Sequence, residues 1–225
     1  MTTSLTKEFR GFRALDSLNL RVKRDTFLGF LGPNGAGKTT TIKILTHMLD
    51  PTRGQAFLNG VDVARRPKTA LAGVGAVVET LEFYPYLTPR QTLMYLGRLR
   101  GMPRRRIVAR SAEVLKMVDL TDWTDQKVGK FSKGMKQRLA IAQAMLGCPG
   151  VLILDEPSAG LDPRGIVEIR NVLKELKKER YTVLMSSHVL GEVQEVCDRV
   201  ALIDHGKLLA EGTVPDLLRD RGRRK

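Results

Sequence analysis

A glycine-rich stretch near the N-terminus constrains this chain more than any other feature of its sequence. It follows a short apolar run, precedes a helical pattern and matches the spacing G-x-x-x-x-G-K-[ST]. Glycines let the backbone curl until several N–H groups point inward at phosphates. A glycine-rich structural turn is the alternative, but the register and both flanks argue against it. The residues predicted to hold a nucleoside triphosphate are Gly32, Pro33, Asn34, Gly35, Ala36, Gly37, Lys38, Thr39 and Thr40.

The end of this loop carries the side chains expected to contact the charged phosphates and the metal ion. A helical pattern runs from Lys38 to Leu49, where Asp50-Pro51 should stop it. The start of this helix would direct its positive dipole end at the phosphates, and the Lys38 amine can reach the β- and γ-phosphates. The hydroxyl of Thr39 can ligate Mg²⁺. The loop alone does not name a function, because kinases, GTPases and motor ATPases share it.

A second acidic site follows a buried strand pattern. Val151–Leu154 is apolar and ends in Asp155 and Glu156. Strand ends in parallel sheets point into the ligand crevice, so Asp155 is predicted to hold Mg²⁺ and Glu156 to orient or deprotonate an attacking water. Solvated acids at a strand end are the alternative, which the phosphate loop in the same chain disfavours.

Apolar runs and helical patterns alternate along the rest of the chain. The opening segment from Leu5 to Val22 predicts two antiparallel strands, and 88–146 predicts a run of helices that begins at the cap Thr88-Pro89. Asp162-Pro163 is predicted to cap a later helix. Later strands alternate with helices, which favours an α/β fold with a mostly parallel sheet. The expected architecture is a P-loop core, an N-terminal antiparallel β-subdomain and an inserted α-helical subdomain.

Composition limits the class of protein. The chain has 225 residues and a formal charge of +14, with one arginine cluster around Arg104–Arg106 and another at Arg219–Lys225. The clusters fit a solvated basic surface, or a face that meets a membrane or nucleic acid. Cys148 and Cys197 form no metal-binding spacing, which fits a reducing cytoplasm. No signal peptide or membrane-length apolar run is present, so the chain is expected to be soluble, or to reach a membrane only through another subunit.

A third motif makes a family resemblance specific. Phe131-Ser132-Lys133-Gly134-Met135-Lys136-Gln137 lies between the two nucleotide motifs. It resembles the L-S-G-G-Q signature of the ATP-binding cassette (ABC) family, with Lys133 in place of a glycine and Met135 in place of the glutamine. Ser132 is a good N-cap and Gly134 permits close backbone approach, so the segment predicts a helix N-terminus suited to phosphate. Alone, it could be an ordinary capped amphipathic helix.

The resemblance extends over nearly the whole chain. The segment from Pro157 to Asp162 looks like the family's D-loop, and His188 looks like its switch histidine, which touches the γ-phosphate. Phe9 falls where the family stacks an aromatic ring on adenine, although Phe12 is nearby and either ring could belong to the core. Glu79 stands where the family's Q-loop has a glutamine, and its carboxylate can still approach Mg²⁺. Together with the aromatic segment from Phe83 to Thr88, this is similar to the bacitracin and lantibiotic-resistance branch of ABC exporters.

The resemblance implies an ATPase that uses ATP and Mg²⁺. Such subunits work as head-to-tail homo- or heterodimers and drive transmembrane permease subunits, so the expected location is cytoplasmic, on the inner face of the cell membrane. One ABC ATPase domain would cover 1–225, with the core and β-subdomain in 1–79 and 149–225 and the helical subdomain in 80–148. Tyr84 and Tyr86 are candidate docking residues. The alternative is a non-transport ABC ATPase acting on ribosomes or DNA; no nucleic acid is expected, because such relatives usually carry two cassettes or a coiled-coil insertion.

Overall fold

A six-stranded sheet forms the centre of the protein in the computed structural model, which describes residues 1–79 and 82–217. All neighbouring strands pair in parallel except the last two strands of the chain, which pair antiparallel. This confirms the predicted mostly parallel sheet. The basic tail Arg219–Lys225 lies outside the described residues. The strands, in order across the sheet, are β10 (Lys207–Thr213), β9 (Arg199–Asp204), β3 (Phe27–Leu31), β8 (Thr182–Ser187), β7 (Val151–Leu154) and β6 (Val74–Val77).

Both faces of this sheet are buried. In β7, Leu152 and Leu154 belong to one hydrophobic cluster while Ile153 belongs to another on the opposite face. In β8, Met185 and Leu184 divide in the same way. Side chains alternate across a strand, so a strand covered on both faces must be apolar throughout. This explains why these strands appear in the sequence as uninterrupted apolar runs.

A separate antiparallel sheet carries the N-terminus, as predicted. Its strands are β2 (Phe12–Leu20), β1 (Thr2–Phe9), β4 (Arg53–Leu58) and β5 (Val61–Asp62), in that order. The first two form the expected hairpin, with Phe9 opposite Phe12 beside the turn. The other two strands were not predicted, because the half-exposed sequence of β4 gives no clear alternation of apolar and polar residues.

Seven α-helices whose two ends both lie in the described residues surround the two sheets. They are α1 (Lys38–Leu45), α2 (Pro67–Leu71), α3 (Pro89–Leu99), α4 (Arg104–Met117), α5 (Lys133–Met145), α6 (Pro163–Lys178) and α7 (Leu190–Val196). None of them combines the length and hydrophobicity needed to span a bilayer. The expected extension of α1 to Leu49 is wrong: the chain leaves the helix at His47, which adopts a left-handed φ of 57°. The helix therefore ends before Asp50-Pro51 could stop it.

Three of these helices lie between β6 and β7 in the chain, where the helical subdomain was expected. The first, α3, begins with the predicted cap, since Thr88 and Gln91 form a reciprocal capping box. The last, α5, also packs on the central sheet, because a Cβ at Gly75 of β6 would lie 2.2 Å from the carbonyl oxygen of Ala144. The division into 1–79 with 149–225 and 80–148 therefore stays a proposal, with α5 shared between the two parts.

Candidate active site

The predicted phosphate loop joins the end of β3 to the start of α1. A Cβ at Gly32 would lie 2.3 Å from the carbonyl oxygen of Ile203, so only glycine allows the neighbouring strand to approach. Gly35 and Gly37 have φ values of 80° and 106°, in the left-handed region that favours glycine. Pro33, Asn34 and Gly35 are exposed, Ala36, Gly37 and Lys38 are buried, and Thr39 and Thr40 are half-buried.

The side chain of Lys38 folds back over this loop. Its Nζ donates to the carbonyl oxygens of Gly32 (2.8 Å) and Pro33 (3.0 Å), and lies 3.2 Å from Oε1 of Glu156. Only 4% of the side chain is exposed. A buried ammonium needs such partners, and phosphate oxygens could replace them without leaving the charge unpaired.

Asp155 is held by a serine that the sequence analysis did not single out. Ser186, fully buried on β8, donates its hydroxyl to Oδ1 of Asp155 at 2.5 Å. The same hydroxyl accepts the backbone N–H of Glu156 at 2.8 Å. The adjacent strands β7 and β8 bring these residues together. The signal was present, because Ser186 directly follows the apolar run of β8 and lies two positions before His188.

The carboxylate of Glu156 lies between the ammonium group of Lys38 and the imidazole ring of His188. Its Oε1 faces Lys38 at 3.2 Å and its Oε2 faces Nδ1 of His188 at 3.1 Å. Its backbone has a positive φ of 43°, which is costly for a residue with a Cβ. The structure thus brings together the three residues predicted to act in catalysis, Lys38, Glu156 and His188, from the ends of separate strands.

A cavity of about 310 Å³ opens beside this group. It is lined by the predicted metal ligands Thr39, Glu79 and Asp155, and by Glu156. Among the described residues, no cluster of three or more His, Cys, Asp or Glu side chains could hold a metal alone. One hydroxyl and one or two carboxylates fit Mg²⁺, which takes its other ligands from water and phosphate oxygens.

Glu79 has an unpredicted partner. Its carboxylate forms an ion pair with Lys43 of α1, and its backbone φ is 60°. The negative charge that replaces the expected glutamine is therefore balanced locally. Lys43 follows Thr39 by four residues, so both project from one side of α1.

The predicted signature and D-loop lie against each other. Ser132 caps α5 by accepting the N–H of Met135 at 3.2 Å, and a Cβ at Gly134 would be 3.6 Å from the Cα of Gly165 in α6. Asp162 caps α6 by accepting the N–H of Gly165 at 3.2 Å. The carboxylate of Asp162 therefore has a structural role, and its predicted part in nucleotide binding remains a prediction.

The structure does not place Phe9 on the cavity of the acidic residues. Phe9 is 42% exposed near the end of the β1–β2 hairpin, and Nζ of Lys7 lies 5.0 Å from its ring centre. Phe12, directly opposite, is 61% exposed. Neither ring is part of the core, so both are available to stack on a base.

Comparison with known proteins decides the family. The family model described as "ABC transporter" matches residues 15–159, which include the phosphate loop, the signature segment and the acidic pair. The chain belongs to the ABC transporter family. As an ABC ATPase domain it shares the family's nucleotide-binding fold, and the resemblance drawn from the motifs is confirmed.

Individual relatives of this ABC domain agree with the family. The bacitracin transport ATP-binding protein BcrA of Bacillus licheniformis is 44% identical over 225 residues, covering 99% of this chain and 72% of the relative. A solved ATP-binding subunit of an ABC transporter is 30% identical, with a TM-score of 0.85, over 99% of this chain and 93% of that one. A dimeric bacterial ABC transporter cassette is 25% identical, with a TM-score of 0.82, over 95% and 97%.

Proposed function

We propose that this ABC domain hydrolyses ATP to power export through separate membrane subunits, on the cytoplasmic face of the cell membrane. One observation carries the ATPase assignment: Glu156 is held between Lys38 and His188 beside the cavity that Thr39 and Asp155 line. Export is supported by the similarity to a bacitracin transport protein and by Glu79 in the Q-loop position.

The geometry supports a division of labour among these residues. The loop amides and Lys38 would bind the phosphates, with Lys38 exchanging the carbonyls of Gly32 and Pro33 for phosphate oxygens. Mg²⁺, held by Thr39, Asp155 and Glu79, would neutralise phosphate charge. Glu156 would orient the attacking water and accept its proton, while His188 would hold the carboxylate from the opposite side.

The same geometry supports a head-to-tail dimer. The chain has two helix N-termini suited to phosphate, at Lys38 and at Ser132, and only the first belongs to the local phosphate loop. In the proposed dimer, the α5 N-terminus of one subunit completes the ATP site of the other. The similarity to a dimeric cassette supports this arrangement. Homo- and heterodimers are equally compatible with it.

The aromatic group, a cluster of the three exposed rings of Tyr84, Tyr86 and Tyr95 in the proposed helical subdomain, is the proposed docking surface for the membrane subunits. Tyr84 and Tyr86 are 53% and 62% exposed, with ring centres 5.6 Å apart. Tyr95 of α3 meets Tyr84 edge-on at 6.3 Å. Exposed, clustered aromatic rings are typical of protein interfaces, because they bury a large area with little loss of side-chain entropy.

Co-purification from solubilised membranes tests this proposal. The tagged chain should recover a hydrophobic membrane protein, and Tyr84→Ala with Tyr86→Ala should reduce that recovery at least about tenfold, as loss of two interface anchors predicts. Leu209→Ala is the matched control, since Leu209 is 65% exposed on β10, away from the aromatic group. Recovery of ribosomes or nucleic acid instead, with a steep loss on adding salt, would favour the non-transport alternative.

A further inference from the structure

The arginine cluster around Arg104–Arg106 lies at the corner where α3 ends and α4 begins. Five arginines occur among the nine residues 98–106, which include no acidic residue. This segment is the basic corner, and its exposed arginines are Arg98, Arg100, Arg104, Arg105 and Arg106. The two helices are in direct contact here, because a Cβ at Gly97 of α3 would lie 2.7 Å from Cγ1 of Ile107 in α4. The fold therefore holds five positive charges close together on one part of the surface.

The fold does not balance these charges. Among the described residues, none of the five guanidinium groups has an ion pair or a hydrogen bond. Arg110, in the next turn of α4, differs, because its guanidinium has three partners: the carboxylate of Glu113, the carbonyl oxygen of Met145 and the hydroxyl of Tyr181. Three arginines of the corner also form the first turn of α4, where the helix dipole disfavours positive charge. The stability of α4 therefore gives no reason for the cluster, whereas an anionic partner does.

Exposed aliphatic side chains lie among these arginines. Leu99 stands between two of them in the sequence, and Val108 lies one helical turn beyond Arg104. Guanidinium groups interspersed with aliphatic side chains match the surface of a lipid bilayer, where phosphate headgroups meet acyl chains. A nucleic acid also offers phosphates, but its bases stack on aromatic rings rather than on aliphatic side chains. The composition of the corner therefore favours a membrane surface.

The basic corner is continuous with the proposed docking surface. Tyr95 of the aromatic group precedes Leu99 by four residues on α3, and both side chains are exposed. Residues with this spacing lie on one face of a helix. Membrane subunits bound at the aromatic group would therefore bring the adjacent corner towards the bilayer surface.

We propose that the basic corner binds the headgroups of anionic lipids at the membrane surface. The arginines contact the lipid phosphates, while Leu99 and Val108 enter the boundary between headgroups and acyl chains. The placement of the corner beside membrane subunits rests on the proposed function, but its affinity for lipid depends on this chain alone. Lipid contact would act as a second attachment and so strengthen the association with the membrane subunits.

Vesicle co-sedimentation of the full chain, with no membrane subunit present, tests this inference. The chain should bind phosphatidylcholine vesicles that contain phosphatidylglycerol, and much less to vesicles of phosphatidylcholine alone. Arg104→Gln, Arg105→Gln and Arg106→Gln together should weaken binding about a hundredfold, because each cation near an anionic surface contributes roughly a fivefold factor. Leu99→Ala should weaken binding about fivefold through lost apolar burial.

The matched control removes three exposed cations from another part of the surface. Arg53→Gln, Arg66→Gln and Lys68→Gln together lower the net charge equally, on β4 and at the start of α2, and none of these residues has an ion pair among the described residues. Binding should change less than about threefold, since charges more than about 8 Å away are largely screened at physiological salt. Equal losses in the two triple variants would overturn the basic corner and leave only attraction by the net charge.

Two further measurements separate this inference from the alternatives. Both triple variants should hydrolyse ATP at the parent rate without vesicles, which shows that the fold is intact. If the arginine variant lost affinity for a DNA or RNA duplex but not for anionic vesicles, the corner would be a nucleic-acid surface and the inference would be wrong. A chain that co-purifies with a membrane protein but does not bind anionic vesicles overturns the inference while leaving the proposed function standing.

Discussion

One buried hydroxyl joins the two acidic residues of the site to each other. Ser186 donates to Asp155 and accepts from the backbone of Glu156, so it fixes both the carboxylate proposed to hold metal and the one proposed to act on water. Buried polar groups cost free energy unless they form hydrogen bonds. Here the Ser186 hydroxyl forms hydrogen bonds with both the Asp155 carboxylate and the Glu156 N–H. At the scale of single residues, the site is positioned as much by this serine as by the acids themselves.

Replacing this serine should damage both stability and activity. Ser186→Ala leaves the N–H of Glu156 and one oxygen of Asp155 short of a partner, so the free energy of unfolding should fall by about 1–3 kcal/mol. ATP hydrolysis should fall with it. Chemical denaturation and a phosphate-release assay measure the two effects.

The protein offers a matched control for this substitution. Ser111 is also buried, but its hydroxyl has no hydrogen-bond partner in the described residues. Ser111→Ala should therefore be neutral or stabilising. Equal effects of the two substitutions would contradict the role given to Ser186.

At the scale of elements, helix N-termini carry most of the proposed recognition chemistry. The cap of α1 is a glycine in the left-handed region, while α5 and α6 begin with the side-chain caps Ser132 and Asp162. A helix start leaves backbone N–H groups unpaired, and these groups favour anions. The α1 terminus faces the chain's own loop, whereas the α5 terminus is exposed at Ser132 and available to a second molecule.

Blocking the α5 terminus should separate dimerisation from nucleotide binding. Ser132→Arg places a bulky side chain where the partner's phosphate is proposed to lie. ATP-driven dimerisation of a chain carrying Glu156→Gln, which should bind ATP without hydrolysing it, should be lost, while the isolated monomer should bind nucleotide as before. Light scattering and nucleotide titration measure the two properties.

A second helix cap supplies the control for this prediction. Thr88→Arg also removes a side-chain cap, from α3, and should cost about 1 kcal/mol of stability without preventing dimerisation. If Ser132→Arg abolished ATP binding in the monomer, a signature acting on the partner's nucleotide would be the wrong interpretation.

At the scale of the whole molecule, both faces of the central sheet are buried. The ionisation of one buried thiol, Cys197, can be used to measure this burial. Burial raises the pKa of Cys197 from its ordinary value of 9.0 to about 12. Above about pH 9 the unfolded chain therefore binds fewer protons at this residue than the native protein, so stability falls as pH rises from the unfolded to the folded pKa. The slope from this residue is at most about 1.4 kcal/mol per pH unit.

Denaturation at about pH 8 and about pH 10 should reveal this loss. Cys197→Ala should reduce the difference in unfolding free energy between the two conditions, because the titrating thiol is gone. Cys148, by contrast, is exposed. In the native protein at the lower pH, a thiol reagent should modify Cys148 and spare Cys197. Rapid labelling of both cysteines would show that the core around α7 opens readily.

Local sequence alone determined the strands of the central sheet, the β1–β2 hairpin, the phosphate loop and most helix starts, but not β4 and β5. The alternation of elements, the glycine spacing before Lys38 and the caps at Thr88, Ser132 and Asp162 are short-range features that the sequence states directly. Tertiary structure alone decided the contacts between distant residues: Ser186 with Asp155, Lys43 with Glu79, and Lys133 with Gly160. These pairs depend on strand register and on helix packing, so the sequence around one partner does not indicate which residue the other partner is.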